Sequence, residues 1–278
     1  MQFLKEFHTH FREQTSSRKS SWHTQDSLTK EKGFTLIELI MVMVLLGIIG
    51  AMGAQFISQA FQGFADTDAR TEIYEEGKLG LVRVERELYH AVPNAINVSG
   101  ANSNTITFGI IDEREMQNIF GQYSEINPAG TNSITDLTAG LAAGSLISIF
   151  NTSWGTFSSG SRIYQVTSGA TNPMTLDSNI SVSSPYQRYY VVRDKAIQYQ
   201  VTGTTLYRLT ANVTGSGVGG FGTPQPVIKN ISQSGALPYF DYAAGTATNN
   251  GRLTVHFTIS GNNESVTFQK EISIHNVP

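Results

Sequence analysis

Few side chains in this 278-residue chain have the types and spacing that chemistry needs. There is no Cys, so neither a thiol nucleophile nor a disulfide is available. Beyond the first 33 residues the histidines are His90, His256 and His275, and they form no HExxH pair; a GxSxG elbow is also missing. Gly215, Gly217 and Gly220 match GxGxxG, in which a glycine backbone cradles phosphates at the start of a helix. Here Pro224 and Pro226 follow where that helix should begin, so the segment reads as a glycine-rich loop. Asp112, Glu113 and Glu115 have carboxylates for a cation but not the spacing of a calcium loop, and read as a solvated turn. The Asn-x-Ser/Thr triplets, such as 151–153, are expected by chance in so Asn- and Thr-rich a chain. These residues imply no enzyme, no cofactor and no metal. One carboxylate stands apart: Glu38 opens an apolar run, LIMVMVLLGIIGAMGA, and no further charge appears until Asp66. A carboxylate in mid-bilayer costs on the order of 3 kcal/mol. Left unpaired among packed helices it would neutralise. It needs a positive partner.

The surrounding sequence says where Glu38 sits. At ~1.5 Å per residue, roughly 20 residues from Phe34 onward span the ~30 Å of a hydrocarbon core. Residues 1–33 hold six basic side chains (Lys5, Arg12, Arg18, Lys19, Lys30, Lys32) against four acidic ones (Glu6, Glu13, Asp26, Glu31). That bias predicts a cytoplasmic N-terminus and a translocated C-terminal part. An ordinary secretory signal shares the layout, with AMGA at 51–54 as a small-residue cut site. Against it stand the long polar leader and the cost of an acid in a segment to be discarded.

Residues 32–40 read KGFTLIELI. This stretch resembles the cleavage and methylation site of type IV prepilins and pseudopilins, in which a dedicated peptidase cuts after the Gly and methylates the new N-terminus. The resemblance implies cleavage between Gly33 and Phe34, N-methylation of Phe34, and a mature chain in which Glu38 meets the Phe34 amine of a neighbour or of itself. That amine has a reference pKa of about 8, so it is mostly protonated at neutral pH. It also implies other minor and major pilins and an inner-membrane assembly platform as partners. Gly47, Gly50 and Gly53 fall near one helical face, where they allow either close packing of a neighbouring helix or local melting. Many major pilins carry a Pro where this chain has Gln55.

The helix is predicted to continue past the membrane, with Tyr74, Gly77, Leu81, Val84, Leu88 and Ala91 as its apolar stripe and Pro93 as its end. Charges at 83–87 read as a solvated face. Beyond Pro93, short β-type runs at 105–111, 145–150, 162–166, 189–193, 196–201, 205–209, 227–231, 252–259 and 265–274 alternate with Gly, Ser, Thr and Asn. Gly203 and residues 261–263 mark hairpin turns, and the tracts 121–144, 151–172 and 203–222 read as long loops. The expected fold is α+β: a long N-terminal helix, membrane-spanning in its first half, packed on an antiparallel β-rich domain. The segments are a leader (1–33), a transmembrane or filament-core helix (34–57), its amphipathic continuation (58–92) and a β-rich periplasmic or extracellular domain (93–278).

Two further stretches, ERELYHAVPNAI and YVVRDKAIQYQVTGTTLYRLT, resemble the larger minor pilins and pseudopilins of the PilW and GspJ type, and most closely a minor pilin of mannose-sensitive haemagglutinin pili. The implied functions are a minor pilin that initiates or caps a filament, a pseudopilin of a type II secretion system, or a tip adhesin for a surface or glycan. The membrane is a single-pass anchor in each. Without residues 1–33 the chain holds 13 Lys or Arg against 18 Asp or Glu, a net charge near −5. That balance disfavours a phosphate-binding surface, and no nucleic acid is expected.

Overall fold

The computed structural model describes residues 33–112, 120–137, 140–168, 171–245, 249–261 and 264–274. It divides into two compact units, 1–57 and 58–278. Helix α1, Leu36–Tyr89, contributes to both.

In the first unit the helix is apolar on every side and uncovered, with Phe34 80 % and Ile49 64 % exposed. None of its most apolar window is buried within the chain, and it is the one described helix long and apolar enough to cross a membrane. A helix hydrophobic all round belongs in lipid or in a bundle of other helices.

In the second unit α1 becomes one-sided, burying Ala69, Ile73, Gly77, Gly80, Leu81, Val84 and Leu88. The stripe differs from the sequence expectation: it starts at Ala69, and Ala91 lies in a strand beyond the helix end. Ile73, not Tyr74, faces the core (8 % against 49 % exposed), and Gly80 joins Gly77. Both glycines permit contact: a Cβ on Gly77 would lie 2.3 Å from the Phe268 ring, and one on Gly80 2.3 Å from Ile228. The helix ends at Tyr89, before Pro93, because the His90 carbonyl already accepts the Ile111 amide at 2.8 Å in a sheet.

The strands follow in chain order: β1 Ala91–Ser99, β2 Thr105–Ile111, β3 Gly121–Gln122, β4 Ser133–Ile134 and β5 Leu146–Ser148. After the short helix α2, Trp154–Ser158, come β6 Ile163–Gln165, β7 Met174–Thr175, β8 Arg188–Thr202, β9 Thr205–Thr214 and β10 Gly217–Val218. The last are β11 Gln225–Ile228, β12 Ile231–Ser232, β13 Phe240–Ala243, β14 Gly251–Gly261 and β15 Glu264–Ile274. In the main sheet β1 pairs with β2 and β2 with β8. The far edge of β8 is shared between β5, opposite residues 190–192, and β9, opposite 195–202. β14 pairs with β15 along its whole length and with β12 and β13 on its other side. All these pairings are antiparallel.

Pro93 lies inside β1, tolerated because β1 pairs on one side only and bulges between Ala91 and Ile96. The β8–β9 hairpin turns at Gly203, whose φ of +60° suits glycine. Asn262 and Asn263, the other expected turn, lie outside the described residues.

One core cluster joins α1 to both sheets through Val84, Leu88, Phe108, Ile197, Tyr199, Leu253 and Phe257. A second, with Tyr123, Ile134, Ile147, Tyr164, Met174 and Tyr189, gathers residues from the tracts read as long loops. Those tracts are therefore not plain solvated connectors: they contain α2 and several strands, and two of them add Tyr123, Ile134 and Tyr164 to a core shared with neighbouring segments.

Candidate processing and assembly site

Gly33, Phe34 and Thr35 precede the first helical residue as exposed, non-helical chain. Thr35 caps the helix: its Oγ1 accepts the Glu38 amide at 3.3 Å and its carbonyl accepts the Leu39 amide at 3.2 Å. The order Thr35-x-x-Glu38 is the signature of a capping box, a signal that shares its residues with the peptidase motif and is masked by it. Glu38 thus stands in the first turn, where amide dipoles favour negative charge. The dipole supplies about 0.3–1 kcal/mol, short of the roughly 3 kcal/mol cost of an acid in hydrocarbon. A separate positive charge is still required.

Gly47, Gly50 and Gly53 lie within α1 with nothing inside 4 Å of an added Cβ on any of them. Among the described residues they have no packing partner. The alternative cut site at 51–54 lies in mid-helix. The leader and its basic residues, from Lys5 to Lys32, are outside the described residues.

Further along α1, two of the charges read as a solvated face, Glu85 and Glu87, reach the sheets, while Arg86 is exposed. Glu87 accepts the Tyr199 hydroxyl at 2.6 Å and the Arg208 Nε–H at 3.0 Å. Its side chain and that of Arg208 are 17 % and 16 % exposed. Burial, and then the charge of Glu87, push the Tyr199 phenol well above its usual range, so it remains a donor. Glu85 pairs with Lys270 at 3.1 Å, and the Glu76 carboxylate accepts the Lys229 amide at 2.9 Å. Glu87 belongs to the ERELYH segment and Arg208 to the LYR segment, so the two stretches singled out in the sequence meet in one ion pair.

The remaining candidates resolve into structural parts. Gly217, at φ +106°, lets the backbone pass close to Ser158 and Gly160, and Gly215 lies against Asp177. Asp112 forms an ion pair with Arg193 at 3.7 Å, while Glu113, Glu115 and His275 lie outside the described residues. His256 is buried with its Nδ1 3.3 Å from the Pro238 carbonyl. Asn151 is buried too, donating to the carbonyls of Pro93 and Ser153 and accepting the Thr156 hydroxyl.

Against known proteins, the model of the prokaryotic N-terminal methylation motif matches residues 28–54. No curated protein and no solved structure gives a match to the chain. The chain thus carries the methylation motif of type IV prepilin-like proteins, followed by an apolar helix and an antiparallel β-rich unit. That motif supports a pilin or pseudopilin subunit. It implies processing by the prepilin peptidase and assembly with other pilins, and with the apolar helix it fits a single-pass anchor.

Proposed function

We propose that this chain is a minor pilin of a type IV pilus, anchored in the inner membrane with its β-rich unit in the periplasm, then placed at the filament tip to initiate or cap it. The peptidase cuts between Gly33 and Phe34 and methylates Phe34. The freed amine is the positive partner that Glu38 lacks, and pairing between neighbours fixes their axial register. The chain is a substrate and a building block; it performs no reaction of its own.

The observation that carries this reading is the methylation motif set directly before a helix with no cover. Exposing that surface to water costs about 25 cal/mol per Å² of apolar area, so the helix passes from lipid only into contact with other subunits. A β-rich unit of this size would crowd a shaft of smaller subunits, which favours the tip. The assignment to large minor pilins of the mannose-sensitive haemagglutinin type rests on the resemblance of the two segments that Glu87 and Arg208 join.

Mass analysis of the protein isolated from its host tests the processing. A start at N-methyl-Phe34 is expected; retention of residues 1–33, or a start beyond Gly53, overturns it. Recovery in sheared surface filaments is expected for a pilin. Recovery only with a secretion complex would instead make the chain a pseudopilin.

A further inference from the structure

We propose that the outward face of the β3–β8 pairing, centred on Arg188, docks an acidic segment of another protein through one carboxylate. This goes beyond the filament reading and does not depend on it.

Strand pairing places the residues of this face. Gln122 lies opposite Arg188 on β8, and the Leu137 amide donates to the Gln122 carbonyl at 2.8 Å. The neighbouring positions Tyr123, Asp136 and Tyr189 are buried, and Tyr123 bridges to Asp136. Side chains alternate across a strand, so Leu137, Gln122 and Arg188 form one row on the other side, facing out. Leu137 is 62 % exposed and Tyr186 50 %. The core cluster beneath this row contains no residue of α1.

Arg188 sets the chemistry. Its guanidinium carbon sits 4.2 Å from the centre of the Phe120 ring and 5.5 Å from that of Tyr186. Phe120 is in turn braced by buried Tyr190, ring centres 6.5 Å apart. Aromatic faces attract the cation but accept no hydrogen bond in its plane. The Nε of Arg188 is buried with no hydrogen-bond partner. None of the described carboxylates pairs with this guanidinium; Glu125 gives both its oxygens to the Thr135 amide. A buried donor left without an acceptor is costly, and an incoming acceptor relieves it.

The turn that leads into β8 is held in a rare conformation. Gln187 adopts φ +56°, a left-handed geometry that Gln seldom takes. Its amide donates to the Ser184 carbonyl at 3.0 Å and its side chain to the Ser124 carbonyl at 3.2 Å, while the Tyr123 hydroxyl accepts the Ser184 amide at 2.8 Å. Strain that the surroundings enforce gathers at binding sites. Here it fixes Tyr186 beside Arg188 before any partner arrives.

The occupant follows from these groups. A planar guanidinium takes a carboxylate through two parallel N–H···O bonds. Aromatic rings and Arg are the residues enriched at the centre of protein interfaces, and they dominate binding energy there. A cationic partner would be repelled by Arg188, and a purely apolar one would bury the guanidinium unpaired. The partner therefore presents an Asp or Glu side chain set among apolar residues.

The full-length chain, isotope-labelled at its arginine nitrogens and held in a maltoside detergent, is titrated with the acetylated and amidated peptide Gly-Leu-Glu-Leu-Gly, with its Gln and Lys analogues, and with inorganic phosphate. Arg188→Lys identifies the Arg188 Nε–H resonance by its loss. The Glu peptide is expected to move that resonance saturably, and the Gln and Lys peptides to leave it in place. Anisotropy of the fluorescein-labelled Glu peptide then ranks the variants. Arg188→Lys, which keeps the charge without the fork, and Leu137→Ser are each expected to weaken binding about ten-fold. Should Arg188→Lys lose the dispersed spectrum of a folded chain, Tyr186→Ala replaces it, since it alters an exposed ring; it is expected both to displace the Arg188 signal and to weaken binding. The proposal is overturned by the absence of a saturable shift with the Glu peptide, by an equal shift with phosphate, the mark of a general anion site, or by affinity unchanged in these variants. A shift that tracks protein concentration without peptide, the mark of a second copy on this face, overturns it as well. None of these outcomes touches the processing of Phe34.

Discussion

Glu87 offers the sharpest test of how the β-rich unit is held to its helix. Glu87→Ala removes the acceptor for Tyr199 at 2.6 Å and for Arg208 at 3.0 Å, and leaves a guanidinium only 16 % exposed without its carboxylate. Hydrogen bonds to charged groups contribute about 1.5–3 kcal/mol each and are not additive. Breaking a fully buried pair costs about 3–5 kcal/mol. The residual water access here lowers that figure, so a loss of roughly 2–4 kcal/mol is expected. Arg208→Ala should cost less, about 1–2 kcal/mol, because Glu87 keeps Tyr199 and retains Arg83 at 3.8 Å. The double variant should fall short of the sum by roughly 1–2 kcal/mol. Urea unfolding of the detergent-solubilised full chain, followed by Trp154 emission with Trp22→Phe as background, measures all three. A loss within about 0.5 kcal/mol for Glu87→Ala, the range of an ordinary surface substitution, would refute the clamp and return these charges to a solvated face.

Gly77→Ala would press a methyl into Phe268, whose ring is fixed by stacking on Tyr74 and Phe257. Overpacking at about 1–3 kcal/mol exceeds the ~1 kcal/mol gained in helix propensity, so a lower urea midpoint is expected; an unchanged or higher one shows that the ring yields. Glu38→Val should be cut and methylated normally yet be absent from sheared filaments, and its presence there by immunoblot would count against the pairing with Phe34. At high pH, burial raises the phenols of Tyr123, Tyr239 and Tyr242, raises Tyr199 further, and pushes Tyr190 up to about 12. A raised acid favours the protonated folded state, so this stabilisation is complete below about pH 10 and is lost as pH climbs beyond it. Tyrosinate absorbance should therefore rise together with unfolding; ionisation of all tyrosines near pH 10 in a chain still folded would contradict it.

Periodicity and turn chemistry made most of the long elements readable. The run 105–111 coincides with β2, and 252–259 and 265–274 lie within β14 and β15. Failures came where tertiary partners override local signals. Asp194 and Lys195 divide the pattern into two short runs, whereas β8 continues through them as its outer partner changes from β5 to β9. The run 227–231 breaks instead, because Asn230 takes φ +55° and the Lys229 amide turns to Glu76. Pro93 hid β1, since neither its place on an edge nor the bulge has a local signature. At the proposed processing site, residue types pointed to Gly33, Phe34 and Glu38, which lie within the matched methylation motif. The cap from Thr35 is encoded in the same nine residues, where Glu38 stands at the helix start and is the residue proposed for the filament contact.

The seating of α1 on the closing strands carries a consequence for the order of events during export. Glu76 finds the Lys229 amide 153 positions away, and Gly77 meets Phe268 on β15. The C-terminal half of the stripe meets β2 and β8 through Val84 and Leu88, whereas Glu76 and Gly77 gain these partners only from the last third of the chain. Under the proposed export, completion of the unit waits for its final segment, and a chain truncated before β15 would leave Gly77 without Phe268, open to whatever chaperone or protease meets it first.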